Sequence, residues 1–225
     1  MEIQWYLSKQ LLIFTPQYYT IRLRGENIMI KTYEMIMDEL SGYANPRQKL
    51  GRLVREGKYF PIVRGLYETD PGTSGYLLAG SIYGPSYLSF SFALSYYGLI
   101  PETVYMYSSA TFDKKKKKMY QTAFGIFTYR DVPKSAYPHG ILIKNEKDYF
   151  FQIASPEKAL CDQLYTISPA GTIKEINKLL WEDLRMERNA VFDLNVDVIE
   201  YLSSLYHSTN VNLLVKVLKK GKYFD

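Results

Sequence analysis

The side chains able to do chemistry are few, and their spacing builds no familiar reaction centre. The 225 residues hold two histidines, His139 and His207, and one cysteine, Cys161. A zinc site needs three or four such ligands at short intervals, and neither histidine stands at metal-like spacing from the other or from Cys161. Both histidines read as surface or structural residues. Cys161, beside Ala159, Leu160 and Leu164 on a helical pattern, reads as a small buried hydrophobe and not as a nucleophile. No Gly-x-Ser-x-Gly elbow or P-loop occurs. Gly80-Ser81 has no acid after it until Glu102, so the paired metal-holding carboxylates of a nucleotidyltransferase are missing. Glu146, Lys147, Asp148 and the pair Glu157-Lys158 supply the residue types of a nuclease without a nuclease's order, which makes that a minor alternative. The expectation is a protein with no catalytic residue, no metal and no cofactor.

Charge is the chemistry that is concentrated. Between Tyr43 and Gly65 six Lys/Arg face one acid, Glu56, a local excess of +5 that equals the net charge of the whole chain. The run Lys114 to Lys118 adds another +5, so the remainder is net acidic at −5. A protein basic in one region and acidic elsewhere suits a polyanionic partner met on one surface. The lysine run lies after Asp113 between two strand-like segments, where it would cap a hairpin or loop. Like charges in a run repel one another and stay solvated; the second reading is an extra phosphate-contact patch. Tyrosine is abundant, 22 residues, but scattered through strand and helix patterns as half-buried amphipathic side chains would be.

The elements that must position this charge follow from caps and periodicity. Asn45 is a good N-cap, Pro46 fits the first helical position and Gly57 supplies the stop, which brackets a helix of about three turns. At about 100° per residue, Leu50, Leu53 and Val54 share one side of it, and Gln48, Arg52 and Arg55 project from the other. Before it, Tyr33, Ile36, Met37 and Leu40 give a helix over 32–40 one apolar face, ended by Ser41-Gly42. After it, Tyr59 to Val63 and Leu66 to Thr69 are β-prone runs joined by Arg64-Gly65, the chemistry of a tight hairpin. Helix, turn, helix and β-wing is the winged helix-turn-helix layout, expected over residues 29–70. Residues 1–28 read as an N-terminal extension of uncertain structure, with strand-like alternation from Gln17 to Arg24 and a natural start expected at Met29.

Asp70 to Gly75, DPGTSG, is the expected domain boundary. Beyond it, over 71–225, the pattern predicts a helix from Phe90 to Tyr97 and strands at Thr103–Ser108, Met119–Phe124, Ile126–Arg130, Ile141–Lys144 and Tyr149–Ile153. Four helices then close the chain. They are marked by Ser155-Pro156, by a Thr172/Glu175 capping box, and by apolar stripes at Val198, Ile199, Leu202, Leu205, Tyr206 and at Val211, Leu214, Val215, Leu218. Strands first and helices after them predict an α+β domain with a mostly antiparallel sheet. A single cysteine excludes an internal disulfide and suits the cytoplasm, and no apolar run approaches the roughly 18 residues that span a bilayer.

The segment GPSYLSFSFALSYYGLIPE from Gly84 to Glu102, Tyr129 at a strand end, SPEKALCD from Ser155 to Asp162, and Arg64-Gly-Leu-Tyr67 resemble the AbiEi-type antitoxins of bacterial abortive-infection toxin–antitoxin systems. The resemblance spans Ile30 to the C-terminus. It implies a winged helix that binds repeats in its own promoter and represses its operon. It also implies a C-terminal domain that counteracts a nucleotidyltransferase-like toxin without forming a stable complex with it, in the type IV manner. The alternative is a transcriptional regulator whose C-terminal domain senses a ligand or dimerises, and self-association on DNA fits either reading. On duplex DNA, Gln48 suits adenine and Arg52 or Arg55 guanine by bidentate hydrogen bonds. Arg47, Lys49 and Lys58 would hold phosphates, and Arg64 at the wing tip would reach the backbone or minor groove.

Overall fold

The computed structural model describes residues 30–221. The strand-like stretch from Gln17 to Arg24 and the start expected at Met29 lie outside them. The first elements are β1 (Ile30–Thr32), α1 (Tyr33–Glu39), α2 (Pro46–Arg55), β2 (Phe60–Val63) and β3 (Leu66–Glu68). Each boundary has a local cause. Thr32 caps α1 by accepting from the Met35 N–H at 3.3 Å, and Asn45 caps α2 by accepting from the Gln48 N–H at 3.1 Å. At the far end of α2, Gly57 is left-handed, its N–H bonds the Val54 carbonyl, and the Lys58 N–H bonds the Leu53 carbonyl, the Schellman pattern that stops a helix.

These elements close over a small core of Ile36, Leu40, Leu50 and Tyr59, with Tyr33, Met37, Leu53, Val54 and Tyr67 packed around it. That is the apolar face expected from both helices. The strands form an antiparallel sheet in the order β1-β3-β2, with β1 an additional strand that precedes α1. Gly65 takes φ +81° in the β2–β3 turn, and its carbonyl accepts from the Tyr33 N–H at 2.8 Å, which holds the hairpin tip against the start of α1.

The hairpin is also tied to the larger unit. Ile62 and Leu66 join the large core, and the buried Glu68 carboxylate accepts from the Thr69 and Asp70 N–H groups and from the Tyr149 hydroxyl at 2.7 Å. A carboxylate with three donors is satisfied without a cation.

The larger unit contains α3 (Gly75–Ile82), β4 (Tyr87–Leu88), α4 (Phe90–Tyr96), β5 (Met106–Thr111), β6 (Lys118–Thr122), β7 (Gly125–Asp131), β8 (Ile141–Glu146) and β9 (Tyr149–Ala154). Then come α5 (Pro156–Tyr165), α6 (Ile173–Lys178) running into a π-helical turn (Leu179–Asp183), α7 (Arg188–Phe192), α8 (Val196–Tyr206) and α9 (Thr209–Gly221). The chain is therefore α+β, with helices gathered at the C-terminal end. The six-stranded sheet has the order β6-β7-β5-β4-β9-β8.

This sheet is mixed, which refines the mostly antiparallel expectation. Three neighbouring pairs are antiparallel and two, β5 with β7 and β4 with β9, are parallel. Because β7 lies between β5 and β6, the lysine run joins strands that are not neighbours and is no hairpin tip. Two further corrections concern elements. The strand expected at Thr103–Ser108 lies at Met106–Thr111, where its buried Ser108 donates to the Ser89 carbonyl and Thr111 to the Asp131 carboxylate. The C-terminal set holds α7 and a π turn beyond the four helices expected.

Candidate nucleic-acid interface and buried polar network

Of the seven residues assigned to DNA by sequence, Gln48, Arg52 and Arg55 project from the side of α2 opposite Leu50, and all three are exposed. Arg47, at the start of α2, Lys58, just past its Schellman turn, and Arg64, in the hairpin turn, are exposed too. Lys49 is half-buried, with its ammonium 4.9 Å from the Tyr43 ring centre, a cation–π contact that leaves the charge at the surface. Among the described residues none of these six cations forms an ion pair, although five ion pairs occur elsewhere in the molecule. On this unit Lys31 is the basic residue that does pair, bonding Glu39 at 2.8 Å. The basic residues of α2 and the hairpin are thus uncompensated by ion pairs among the described residues. Uncompensated cations on an exposed helix cost self-repulsion that an anionic partner relieves.

The motifs from Gly84 to Glu102 and Ser155 to Asp162 meet inside the larger unit. Ser155 caps α5, and Lys158 and Asp162, one turn apart, are both fully buried with Nζ and Oδ1 3.4 Å apart. Asp162 accepts from the hydroxyls of Tyr87 at 3.0 Å, Ser89 at 2.5 Å and Tyr206. Lys158 donates to the Ala136 carbonyl at 2.7 Å and to the Tyr206 oxygen at 2.5 Å. Tyr206 therefore bridges the two charges, accepting a hydrogen bond from Lys158 and donating one to Asp162. Burial pulls the Lys158 ammonium below its ordinary range, against the attraction of Asp162, and pushes the Tyr87 and Tyr206 hydroxyls well above theirs. Gly140 lies against this cluster at φ +69°, where a Cβ would come within 2.9 Å of the Lys158 Cβ.

Each polar group here is satisfied internally and closed to solvent, so the arrangement locks β4, α5 and α8 together and offers no reacting atom to a substrate. Cys161 is fully buried beside it, and burial pushes its thiol up and away from the reactive thiolate. His139 meets the Tyr201 hydroxyl at 3.2 Å through Nδ1, and His207 ends α8 in a left-handed conformation. Among the described residues no group of three His, Cys, Asp or Glu side chains is placed to hold a metal, and no helix is long and apolar enough to cross a membrane.

Sequence reasoning did not single out Tyr87, Ser89, Lys158, Asp162 and Tyr206 as one cluster. The available signal was the i, i+4 pairing of Lys158 with Asp162 around the apolar run Ala159-Leu160-Cys161. Arg130 was also missed, a lone basic residue in strand β7.

No protein-family model matches the chain. No curated protein matches it either. Among solved structures it is similar to the RV2827C protein from Mycobacterium tuberculosis, with a TM-score of 0.51 at 15% identity, over 84% of this chain and 71% of that one. At that identity the likeness speaks for the α+β fold alone.

Proposed function

We propose that this chain is a DNA-binding antitoxin: a winged helix-turn-helix over residues 29–70 reads operator repeats and represses its own operon, and the α+β unit over 71–225 counteracts a nucleotidyltransferase-like toxin. The observation that carries the DNA half is the concentration of six cations against one acid on and around α2 and the hairpin, none of them in an ion pair among the described residues. The order strand, helix, helix, hairpin, with β1 adding to β3, supports it as the layout that presents α2 to a major groove. In that pose Gln48, Arg52 and Arg55 face base edges, while Arg47, Lys49, Lys58 and Arg64 hold the phosphates on either side.

The antitoxin half rests on the resemblance of Gly84 to Glu102 and Ser155 to Asp162 to the AbiEi-type antitoxins. The coming together of those two segments in one buried network supports reading them as a structural signature of a family fold. The test is co-expression of the full chain with the adjacent gene product, where that product is toxic when expressed alone. Rescue of growth by wild type, and equally by the Arg52→Ala/Arg55→Ala variant, supports an antitoxin unit that acts independently of DNA reading. Failure of the wild-type chain to rescue removes the antitoxin reading and leaves a plain regulator.

A further inference from the structure

The lysine run has a built setting. Its first residues are tethered: Asp131 accepts from the Thr111 hydroxyl at 2.6 Å and the Lys115 N–H at 2.7 Å, the Lys114 ammonium donates to the Gly84 carbonyl at 3.0 Å, and Lys134 pairs with Asp113 at 3.4 Å. The loop helps line a cleft of about 340 Å³ formed by Lys115, Lys116, Lys117, Arg130, Asp131 and Thr166. Within it, the Arg130 guanidinium stacks 4.0 Å from the centre of the Phe90 ring and spends one N–H on the Thr166 hydroxyl at 3.2 Å. Phe90 holds that ring from a left-handed backbone, φ 55°, a conformation a bulky side chain rarely adopts.

Neither Arg130 nor any of the three lysines forms an ion pair among the described residues. The one acid in the cleft, Asp131, already spends an oxygen on each of its two donors. Half-buried and short of a hydrogen-bonded carboxylate, Arg130 has its proton affinity lowered by burial, with the more distant Asp162 acting against that. Four cations against one engaged carboxylate leave the cleft at about +3, and a fixed planar guanidinium is the group that best matches phosphate oxygens. Among the described residues no aromatic side chain lines the cleft.

We propose that this cleft binds a polyphosphate chain, such as that of a nucleoside triphosphate, with Arg130 as the fixed fork at its base and Lys115, Lys116 and Lys117 closing over the outer phosphates. This site lies on the larger unit and does not depend on the DNA-reading assignment of α2, so each can fail alone. It gives the larger unit a small-molecule input.

Isothermal titration of the full chain with inorganic tripolyphosphate, with each common nucleoside triphosphate and with orthophosphate tests it. Tripolyphosphate binds in the micromolar range, and orthophosphate about tenfold more weakly or worse because fewer oxygens meet the cations. Nucleoside triphosphates that match tripolyphosphate identify the phosphate chain as the whole determinant; ones that bind tighter add a nucleoside contact to the same site. Arg130→Gln, and separately the surface variant Lys115→Gln/Lys116→Gln/Lys117→Gln, each lower the affinity about tenfold or more. The lysine variant decides the matter if Arg130→Gln loses its fold by circular dichroism. Absence of binding by every probe at millimolar concentration, affinity unchanged in the lysine variant, or binding of single-stranded RNA alone overturns the proposal.

Discussion

Lys58→Ala removes one exposed cation just past the stop of α2 while leaving the helix terminus intact, because that terminus uses the Lys58 backbone N–H and not its side chain. Its ammonium forms no ion pair among the described residues, so the substitution shifts stability by no more than about 0.5 kcal/mol. In the assignment above Lys58 is one of four phosphate contacts, with Arg47, Lys49 and Arg64. Each neutralised phosphate adds about −0.9 to the slope of log affinity against log salt, giving about −3.6 for four contacts and about −2.7 after the substitution. Over a fourfold rise in salt, from about 50 to about 200 mM, wild type loses roughly 150-fold in affinity and the variant roughly 40-fold. Fluorescence anisotropy of a labelled duplex across that salt range measures both slopes. Phosphates carry no sequence, so the weakening has equal size on the promoter and on an unrelated duplex. An unchanged slope, or a loss confined to one sequence, refutes the placement of Lys58 on the backbone.

The buried network yields a stability prediction. Asp162→Ala strands the Lys158 ammonium and the Tyr87, Ser89 and Tyr206 hydroxyls in a closed interior, at a cost of about 3 to 5 kcal/mol read from urea denaturation. Alkaline pH attacks the same interior through its tyrosines. Burial raises the hydroxyls of Tyr87, Tyr129, Tyr137 and Tyr206 above their ordinary value and pushes Tyr97 up to about 12. Groups whose folded pKa exceeds the unfolded one contribute stability that is complete below about pH 10 and is lost as pH rises further, at about 1.4 kcal/mol per pH unit for each retained proton. Lys158, lowered on folding, works the other way with a single proton, so the tyrosines dominate and the urea midpoint falls from pH 10 to 11.5. Absorbance at 295 nm shows a fraction of the tyrosines ionising only with unfolding.

Much of the first unit was legible because its signals are local. Asn45, Pro46 and Gly57 each act within one turn of α2, and Arg64-Gly65 makes a hairpin by its own backbone preference. Local capping also marked α5 and α6, although Glu175 turns its carboxylate to the Gly171 N–H instead of completing the box on Thr172. What was hidden depends on distant neighbours. Helix α3, GYLLAGSI, buries Gly75, Leu77, Leu78 and Ala79 and shows no polar stripe for a period to reveal. The parallel pairing of β5 with β7 is set by which strand edges meet, and β1 is a three-residue strand that exists by adding to β3. The cleft was invisible for the same reason, since Arg130, Asp131 and Thr166 come from elements that the fold alone brings beside the lysines.

Whether the cationic face of α2 reads sequence, as proposed, is measured most directly by competition binding. The full chain is titrated with the duplex upstream of its own gene and with a scrambled duplex of equal length, as wild type and as Arg52→Ala, at one fixed salt concentration. Wild type prefers the promoter by about a thousandfold or more, and Arg52→Ala forfeits about 1 to 3 kcal/mol of that preference while its affinity for the scrambled duplex changes far less. Equal affinity of wild type for the two duplexes, or a preference that Arg52→Ala leaves intact, contradicts it.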